Sequence, residues 1–420
     1  MNEAQRSAEA MMRRKNFSSN AIGPFLGLAL TSLVASCGGG GLGCVPGAPC
    51  GGAEYFDQNV PAKVATAQRF TAIGLGWRHS CMTDFTGGAW CWGGNEYGQL
   101  GAASTMRCLD NNVDCSWSPL KVEGIQVFRQ LTASDRHTCG LTPDGQAWCW
   151  GLDDGGQLGD GRKSAAPQRP VAVTGGHRFV ALVASLGERV TCGLKDDGAP
   201  WCWGAGFFPG ATAGAGPAAS LEPTRWTQAA TVAWRSIGLG WSHACGLDAG
   251  GLAWCLGNNE HGQLGNGGLA STAAPVAVAG GRAYQQLAVG YEHACAVDST
   301  GQAWCWGWVA AGDGSLSSEP RRTPVAVAGG HRFTQIAAGH RHSCGLTADG
   351  TAWCWGDGSV GELGNGASAQ AYAPEAVAGG LKFTTISAGG VQTCGVTADG
   401  TAYCWGWNNV GAVGIPVVAH

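Results

Sequence analysis

Seven pairs of cysteines, with ten residues from one member of a pair to the other, recur along the chain and constrain its fold more than any other feature. Successive pairs begin 58, 53, 53, 50, 49 and 50 residues apart, so the connections vary while the pair itself does not. A period of this length predicts a repeat protein with one local fold per unit. The pairs are Cys81/Cys91, Cys139/Cys149, Cys192/Cys202, Cys245/Cys255, Cys295/Cys305, Cys344/Cys354 and Cys394/Cys404.

The segment HSCGLTADGTAWCWG at 342–356 predicts a β-hairpin that is suited to a disulfide. If Thr347 and Thr351 are the last paired residues, the loop has three residues and Gly350 takes the left-handed conformation. Cys344 then lies directly opposite Cys354, where Cβ atoms come within roughly 4.5–5.5 Å. This separation is close to what a disulfide needs.

The tryptophans of the same hairpin project from the face opposite the cysteines. Trp353 and Trp355 are two residues apart, and Gly345 is expected to leave room for one of the indoles. The pair recurs from Trp90/Trp92 onward, so we interpret it as a core feature rather than a ligand site.

Each unit contains more than the hairpin. An aromatic residue opens a short apolar run before it, and a glycine-rich tail and a P-x-x-V segment follow it. Such short runs, split by Gly, Pro, Asn and Asp, are typical of all-β proteins. Because both hairpin faces are apolar, each unit must pack between neighbours. We predict a seven-bladed β-propeller with about four strands per blade, closed by the segments around 60–64 and 415–419.

The run G-x-x-H-S-C-G-L-T-x-D-G-x-A-W-C-W-G, followed by G-Q-L-G-x-G, resembles the repeat of the regulator-of-chromosome-condensation family. GQLG occurs at 98–101, 156–159 and 262–265, and GELG at 361–364, whereas the third and fifth units lack it and the seventh has GAVG. The resemblance covers residues 60–420 and implies a seven-bladed propeller. WD-type and Asp-box repeats do not fit the motifs, and kelch is a distant alternative.

Composition narrows the possible functions. The chain has 420 residues with 72 glycines and 13% charged residues, which is too glycine-rich for a helical protein. Its formal net charge of -4 argues against nucleic-acid binding, because phosphate recognition needs clustered Lys and Arg.

The N-terminus has the features of an export signal. Three basic residues at 13–15 precede an apolar stretch at 21–36 that ends in VASC, which resembles a bacterial lipobox. We predict a lipoprotein-type signal peptide at 1–36, lipidation of Cys37 and a Gly-rich tether at 37–59. The protein would lie in the bacterial cell envelope, in the periplasm or on the cell surface, with membrane contact only through the lipid. An ordinary secretion signal is the alternative, and Met11 or Met12 are alternative starts.

Export makes disulfides the expected state of the nineteen cysteines. Fourteen are in the hairpins, and we pair Cys108 with Cys115 and Cys44 with Cys50, which leaves Cys37 for the lipid. Buried free thiols, as in a cytosolic relative, are the alternative. C-x-x-C zinc spacing is absent, so no metal is expected.

Five histidines precede the first cysteine of their hairpin by two residues. Units on different blades are spread around the axis, so we predict that these histidines make packing contacts and hydrogen bonds between blades and form no shared site. They are His79, His137, His243, His293 and His342.

Two adjacent positions differ from unit to unit and are the predicted binding residues. Four residues before the first hairpin cysteine stand Trp77, Asp135, Glu188, Trp241, Tyr291, His340 and Gly390, and beside them Arg78, Arg136, Arg189, Ser242, Glu292, Arg341 and Val391. Uniform packing would not tolerate this variation, so we expect a ring of exposed loop tips on one face. Solvated turns with indoles folded back on the scaffold are the alternative. The long connections at 108–117, at 206–210 with Trp226, and at 307–314 are a second candidate surface.

These observations favour a non-enzymatic extracytoplasmic binding module, expected to be a monomer without a cofactor, that binds a protein, peptide or glycan partner on one propeller face. Secreted beta-lactamase inhibitors with seven such repeats suggest an enzyme inhibitor as an alternative. The family resemblance also implies guanine-nucleotide exchange, against which export and acidity argue. An enzyme is the remaining class, but no nucleophile elbow, H-E-x-x-H or phosphate loop is present.

Overall fold

The structure is a computed structural model that describes residues 57–108, 113–124, 126–187, 189–205, 219–308, 311–317 and 319–415. These residues form seven antiparallel sheets, which confirms the predicted seven blades of four strands each. Blade 1 carries one additional strand. The described helical segments are two short 3-10 turns, Ala229–Thr231 and Ala378–Gly380.

The strands follow the chain order. β1 (Gln58–Lys63) belongs to blade 7, and blade 1 has β2 (Phe70–Leu75), β3 (His79–Asp84), β4 (Ala89–Gly94), β5 (Met106–Cys108) and β6 (Val113–Lys121). Blade 2 has β7 (Gln130–Ala133), β8 (His137–Leu141), β9 (Ala147–Asp153) and β10 (Ser164–Ala172). Blade 3 has β11 (Ala181–Ala184), β12 (Val190–Leu194), β13 (Pro200–Gly204) and β14 (Ser220–Arg225).

The remaining blades repeat this pattern. Blade 4 has β15 (Trp234–Leu239), β16 (His243–Asp248), β17 (Ala253–Gly257) and β18 (Thr272–Ala277). Blade 5 has β19 (Tyr284–Val289), β20 (His293–Asp298), β21 (Ala303–Gly307) and β22 (Arg321–Ala326). Blade 6 has β23 (Phe333–Ala338), β24 (His342–Thr347), β25 (Ala352–Gly356) and β26 (Ala371–Ala376), and blade 7 has β27 (Phe383–Ala388), β28 (Gln392–Thr397) and β29 (Ala402–Gly406).

The hairpin register agrees with the sequence prediction. Cys344 pairs with Cys354, the Thr347 amide donates to the Thr351 carbonyl at 3.0 Å, and Gly350 has φ of 81°. The loop therefore has the three residues that the sequence indicates.

A disulfide joins the second and third strands of every blade, with Cα atoms 4.0–4.1 Å apart. The bridged cysteines are buried between blades and form part of the core rather than of a surface site. The seven bridges are Cys81–Cys91, Cys139–Cys149, Cys192–Cys202, Cys245–Cys255, Cys295–Cys305, Cys344–Cys354 and Cys394–Cys404. Cys108 and Cys115 form an eighth, as paired from the sequence.

Two details of the tryptophan face differ from the expectation. The space above Gly345 is filled by Phe333 rather than by an indole, since a Cβ at Gly345 would clash with the phenyl ring. Of the indole pair, Trp355 is fully buried whereas Trp353 is half-buried at the seam between blades. In blades 2, 3, 4, 6 and 7, the aromatic residue that opens the apolar run therefore packs over a glycine of its own hairpin.

The core lies between the blades rather than within them. The Cys81–Cys91 disulfide packs against Phe128 and Trp150 of blade 2. The same contact closes the ring, because the disulfide of blade 7 packs against Phe70 and Trp92 of blade 1. Each cystine thus covers the aromatic residues of the next blade, as expected for units that cannot bury both faces alone.

The glycine-rich tail of one blade accepts a hydrogen bond from a tryptophan of the next blade. The indole N–H of the following blade donates to a tail carbonyl in five seams, at 2.8–3.1 Å. The third unit lacks GQLG, and blade 4 correspondingly carries Leu256 where the other blades carry that tryptophan. The donor–acceptor pairs are Trp92–Ala412, Trp150–Gln99, Trp203–Gln157, Trp306–Gln263 and Trp405–Glu362.

The ring closes through the N-terminal strand. β1 pairs antiparallel with β29 and supplies the outer strand of blade 7. The other proposed closing segment, 415–419, is described only at residue 415, and the predicted signal peptide, Cys37 and the Cys44/Cys50 pair lie outside the described residues. In the described part of the chain, no helix is long and apolar enough to span a bilayer.

Candidate interaction face

Two sets of loops share one face of the disc, which we call the loop face. The inner loops join the first and second strands of each blade, and the tail loops follow the third strand. The opposite face carries the Asp-Gly turns and is called the turn face. Every described member of the two variable positions lies on an inner loop, and Glu188 lies outside the described residues.

Hydrogen bonds link the inner loops into a continuous ring, because one bond joins each blade to the next. In five seams a backbone amide donates to a backbone carbonyl, and in the two seams around blade 3 a serine hydroxyl does so. The seven bonds run from Trp77 N to Ser134 O, Ser134 Oγ to Ser185 O, Ser185 Oγ to Gly240 O, Trp241 N to Tyr291 O, Tyr291 N to Gly339 O, His340 N to Gly389 O and Gly390 N to Gly76 O, with lengths of 2.7–3.2 Å.

Four side chains of the first variable position meet at the centre, and we call them the aromatic cluster: Trp77, Trp241, Tyr291 and His340. Trp241 stacks on Tyr291 with centroids 5.2 Å apart, and Trp77 lies 5.9 Å from Tyr291 and 4.6 Å from His340. Trp77 and Tyr291 are only 8% and 7% exposed. The expected exposure is therefore wrong for Trp77 and Tyr291, because the inner loops lie nearest the axis and their large side chains bury one another, whereas Trp241 and His340 are partly exposed.

Glycines in other blades make room for this cluster. A Cβ at Gly390 would lie 2.7 Å from the Trp77 ring, and one at Gly187 would lie 3.2 Å from Tyr291. Below the cluster, a cavity of about 200 Å³ is lined by the inner strands of all seven blades. No charged side chain lines this cavity. The aromatic cluster thus closes the axis at the loop face.

The second variable position forms an outer ring, in which five side chains contact the tail loop of the preceding blade. Three arginines lie over aromatic rings at 4.7–5.6 Å from the centroid, a favourable cation–π arrangement. Arg189 forms an ion pair with Asp154 at 2.7 Å, and Glu292 Oε1 lies 3.8 Å from His261 Nε2. The outer-ring pairs are Arg78/Trp407, Arg136/Tyr97, Arg189/Asp154, Glu292/His261 and Arg341/Trp308.

The loop face carries both positively and negatively charged side chains. Burial shifts the pKa of two of its titratable groups, Glu292 and His340. Burial raises the pKa of the Glu292 carboxyl, which His261 and Arg341 partly oppose. Burial, followed by the neighbouring Arg341, lowers the pKa of His340 well below its usual value. His340 is therefore neutral near pH 7 and acts as an aromatic member of the cluster.

Two family models described as the regulator of chromosome condensation (RCC1) repeat match the chain. One matches residues 70–99, 128–157, 234–263, 284–308, 333–362 and 383–412, and the other matches 86–141 and 349–396. Together they cover more than half of the sequence. The chain belongs to the RCC1 repeat family. Blade 3 lies outside the matched ranges, in agreement with its missing GQLG tail.

Similar proteins share the RCC1 propeller. The mouse (Mus musculus) E3 ubiquitin-protein ligase HERC2 is 26% identical over 250 residues, which are 59% of this chain but 5% of HERC2, so this chain spans a small part of that relative. Human WBSCR16 superposes with a TM-score of 0.69 at 18% identity, over 83% of this chain and 89% of the other. Yeast RCC1 (Prp20), in a complex with Kap60, superposes with a TM-score of 0.65 at 18% identity over 80% of each chain.

The five histidines lie inside the RCC1 blades and away from the loop face surface. Four of them hydrogen-bond through Nε2 to a hydroxyl of the next blade at 2.7–2.9 Å, as predicted. Burial lowers the pKa of each, to about 3 for His79 and to about 4 for His342. His243 differs, because Ala294 stands where the next blade would supply the hydroxyl.

The hairpin cysteines likewise lie inside the blades and contribute no side chain to the loop face. The second cysteine of each pair is on the third strand of its blade, where the neighbouring blade covers it. These residues are Cys91, Cys149, Cys202, Cys255, Cys305, Cys354 and Cys404. Their role in the structure is therefore to brace the blades that carry the loops.

The irregular connections contribute less surface than expected. Trp226 is buried in the core between blades 3 and 4, so its assignment to a surface is wrong. Residues 206–210 lie outside the described chain, and so do two residues of 307–314. Trp308 stacks on His261 at 4.2 Å within the outer ring. Among the described residues, no group of three or more His, Cys, Asp or Glu side chains could hold a metal ion.

Sequence reasoning missed the tail-loop partners of the outer ring. These residues follow the second hairpin cysteine by six, five, six, three and three residues, so no single position in the repeat identifies them. They are Tyr97, Asp154, His261, Trp308 and Trp407. The available signal was the presence of an aromatic or charged residue at the start of each tail.

Proposed function

We propose that this protein is a non-enzymatic, extracytoplasmic protein-interaction module and that its partner binds the loop face. The observation that carries the proposal is the aromatic cluster encircled by the outer ring on one side of a rigid disc. Aromatic and arginine side chains are the residues that contribute most to protein–protein interfaces.

The turn face and the loop face differ in whether their side chains are satisfied locally and in how much they vary between blades. On the turn face, the Asp349 carboxylate accepts hydrogen bonds from Thr347, Thr351 and Lys382 at 2.6–2.8 Å, so its charge is satisfied locally. In blades 2 and 7 the turn aspartates accept the same threonine bond, and in blades 1, 4 and 5 an aspartate two residues earlier accepts the indole N–H of its own hairpin, so the turn carboxylates are again satisfied locally. The loop face combines seven different inner loops with tail loops of unequal length, which favours it as the specific surface.

A partner protein is consistent with solved relatives. One structure shows Kap60 bound to yeast RCC1, and the structure of Prp20p from Saccharomyces cerevisiae is described together with its binding to Gsp1p and histones. We extend the use of the propeller as a protein-binding scaffold to this chain, but not those partners. The net charge of -4 disfavours a nucleic-acid partner, because phosphate recognition needs clustered positive charge.

Eight disulfides among the described residues support an oxidising compartment. Together with the apolar N-terminal stretch that ends in VASC, they support export and attachment through Cys37. Intact mass with and without reductant tests both features. A mass without lipid, or fewer than eight bridges, counts against this part of the proposal.

Site-specific photo-cross-linking tests whether the partner binds the loop face rather than the turn face. A photoreactive amino acid replaces Arg189 on the loop face or Phe85, which is 66% exposed, on the turn face. After irradiation of intact cells, we expect a discrete adduct from position 189 and none from position 85. Trp241→Ala, which removes one member of the aromatic cluster, should weaken that adduct while the purified variant keeps its β-sheet circular dichroism. Adducts from position 85 alone would reject the loop face.

A further inference from the structure

Blade 1 carries a second small hairpin outside the repeat pattern. β5 extends the sheet beyond β6, and Cys108–Cys115 bridges the two strands. In the described part of the ring, this is the one sheet with five strands. Its disulfide is thus an addition to the seven that brace the blades.

This hairpin packs on the last tail loop of the chain. The Cys108–Cys115 disulfide forms one cluster with Trp407, Val410 and Ala412 of blade 7. The Trp117 ring lies over Gly411 so closely that a Cβ there would clash with it. The Trp117 indole N–H also points at Cys108 Sγ, at 3.1 Å.

The same tail is held from blade 1 on its other side. The Ala412 carbonyl accepts hydrogen bonds from Ser80 Oγ at 2.8 Å and from Trp92 Nε1 at 3.0 Å. Arg78 of the outer ring lies over Trp407. The tail at 407–414 is therefore enclosed by blade 1 at the seam where the first and last blades meet.

We propose that the Cys108–Cys115 disulfide between β5 and β6 is a redox-sensitive clasp on the seam that closes the propeller. When the bridge is intact, the clasp holds the 407–414 tail and the Arg78/Trp407 pair of the loop face. When it is reduced, β5 separates from β6 and the closing seam loosens. This regulation rests on the proposed extracytoplasmic function, because there the bridge would normally be oxidised.

The reductant is a dithiol protein or a small dithiol. One of its thiolates attacks a sulfur of the bridge, so that the Cys108–Cys115 bond breaks and a mixed disulfide forms. The second thiol then displaces the remaining protein thiolate, which leaves two protonated cysteines and an oxidised dithiol.

A reductant should reach the Cys108–Cys115 bridge before the seven repeat disulfides, because the two kinds of bridge become exposed through different structural openings. The seven repeat disulfides lie between blades against the aromatic residues of the next blade, so their exposure requires two blades to separate. The clasp cysteines are also buried, with Cys108 3% and Cys115 0% exposed. They lie, however, at the outer edge of their sheet, where β5 has three residues and is paired on one side only, so that separation of β5 from β6 is enough to expose them. Local opening of such an edge costs less than separation of blades.

Timed alkylation after exposure of the full chain to dithiothreitol tests selectivity. We expect Cys108 and Cys115 to become labelled at least about tenfold faster than the repeat cysteines, because local opening suffices. Equal or slower labelling of this pair would overturn the proposal.

Hydrogen exchange tests the coupling to the seam. In the Cys108→Ser/Cys115→Ser variant, the amides of Gly411, Val413 and Gly414 should exchange at least about tenfold faster than in the wild type. The tail of blade 4 makes the same amide bonds without a clasp, and it should be unchanged in the variant. Unchanged exchange at 411–414, or equal acceleration in both tails, would refute the clasp. Because no partner is needed, this result is independent of the proposed binding function.

Discussion

Asp153 offers the sharpest test of the energetics of the tail loops. It occupies the position that Asn95, Asn259 and Asn408 hold in other blades, and its Oδ1 accepts the same backbone hydrogen bond, here from Leu158 at 3.1 Å. The asparagines can also donate through Nδ2, as Asn95 does to the Ala102 carbonyl at 3.1 Å. A carboxylate cannot make that second bond.

The change in the free energy of unfolding expected for Asp153→Asn follows from the burial of the Asp153 carboxyl group. Asp153 is 1% exposed, and burial raises its pKa from 3.8 to about 6, with Asp160 and Asp154 adding to the rise. The folded state therefore binds the proton more tightly than the unfolded chain, and stability falls as pH rises from 3.8 to about 6. A difference of about two pH units corresponds to ~3 kcal/mol as an upper value above pH 6.

We expect Asp153→Asn to raise the free energy of unfolding by about 1–3 kcal/mol at pH 7.5 and by much less at pH 4. Urea unfolding followed by tryptophan fluorescence at both pH values measures this difference. The reciprocal change Asn259→Asp, at a fully buried position, should destabilise blade 4 more at pH 7.5 than at pH 4. An Asp153→Asn gain that is the same at both pH values, or absent at pH 7.5, would refute the reasoning.

Two further substitutions probe the blade seams. Ala294→Thr should supply His243 with the hydroxyl found in four other seams and raise stability by about 1 kcal/mol in thermal unfolding, whereas Ala244→Thr, at an apolar seam, should lower it. An equal change in melting temperature in both variants would contradict the stabilising role of a hydroxyl beside His243. Gly390→Ala should force the aromatic cluster apart and cost about 1–3 kcal/mol, with a changed near-ultraviolet circular dichroism spectrum. Gly268→Ala is its control, because a Cβ there would make only ordinary contacts at 3.6 Å or more, and an unaltered spectrum for Gly390→Ala would contradict the packing described above.

Local features were predictable because they depend on residues close in sequence. The three-residue loop with Gly350 sets the hairpin register, and the register places Cys344 opposite Cys354. Sevenfold repetition of that unit, apolar on both faces, then requires a closed ring. The histidine contacts followed from the same reasoning, since the cystine face of one blade must meet the next.

The arrangement of the aromatic cluster depends on contacts between distant blades, which the sequence of a single repeat does not encode. Trp77 and Tyr291 are more than 200 residues apart and touch only because inner loops from distant blades converge on the axis. Side chains expected as exposed loop tips therefore became the closed centre of the face. The sequence by itself determined the blade, the disulfide pairing and the number of repeats, whereas closure of the ring decided which variable residues are buried together, because only closure brings opposite blades within contact distance.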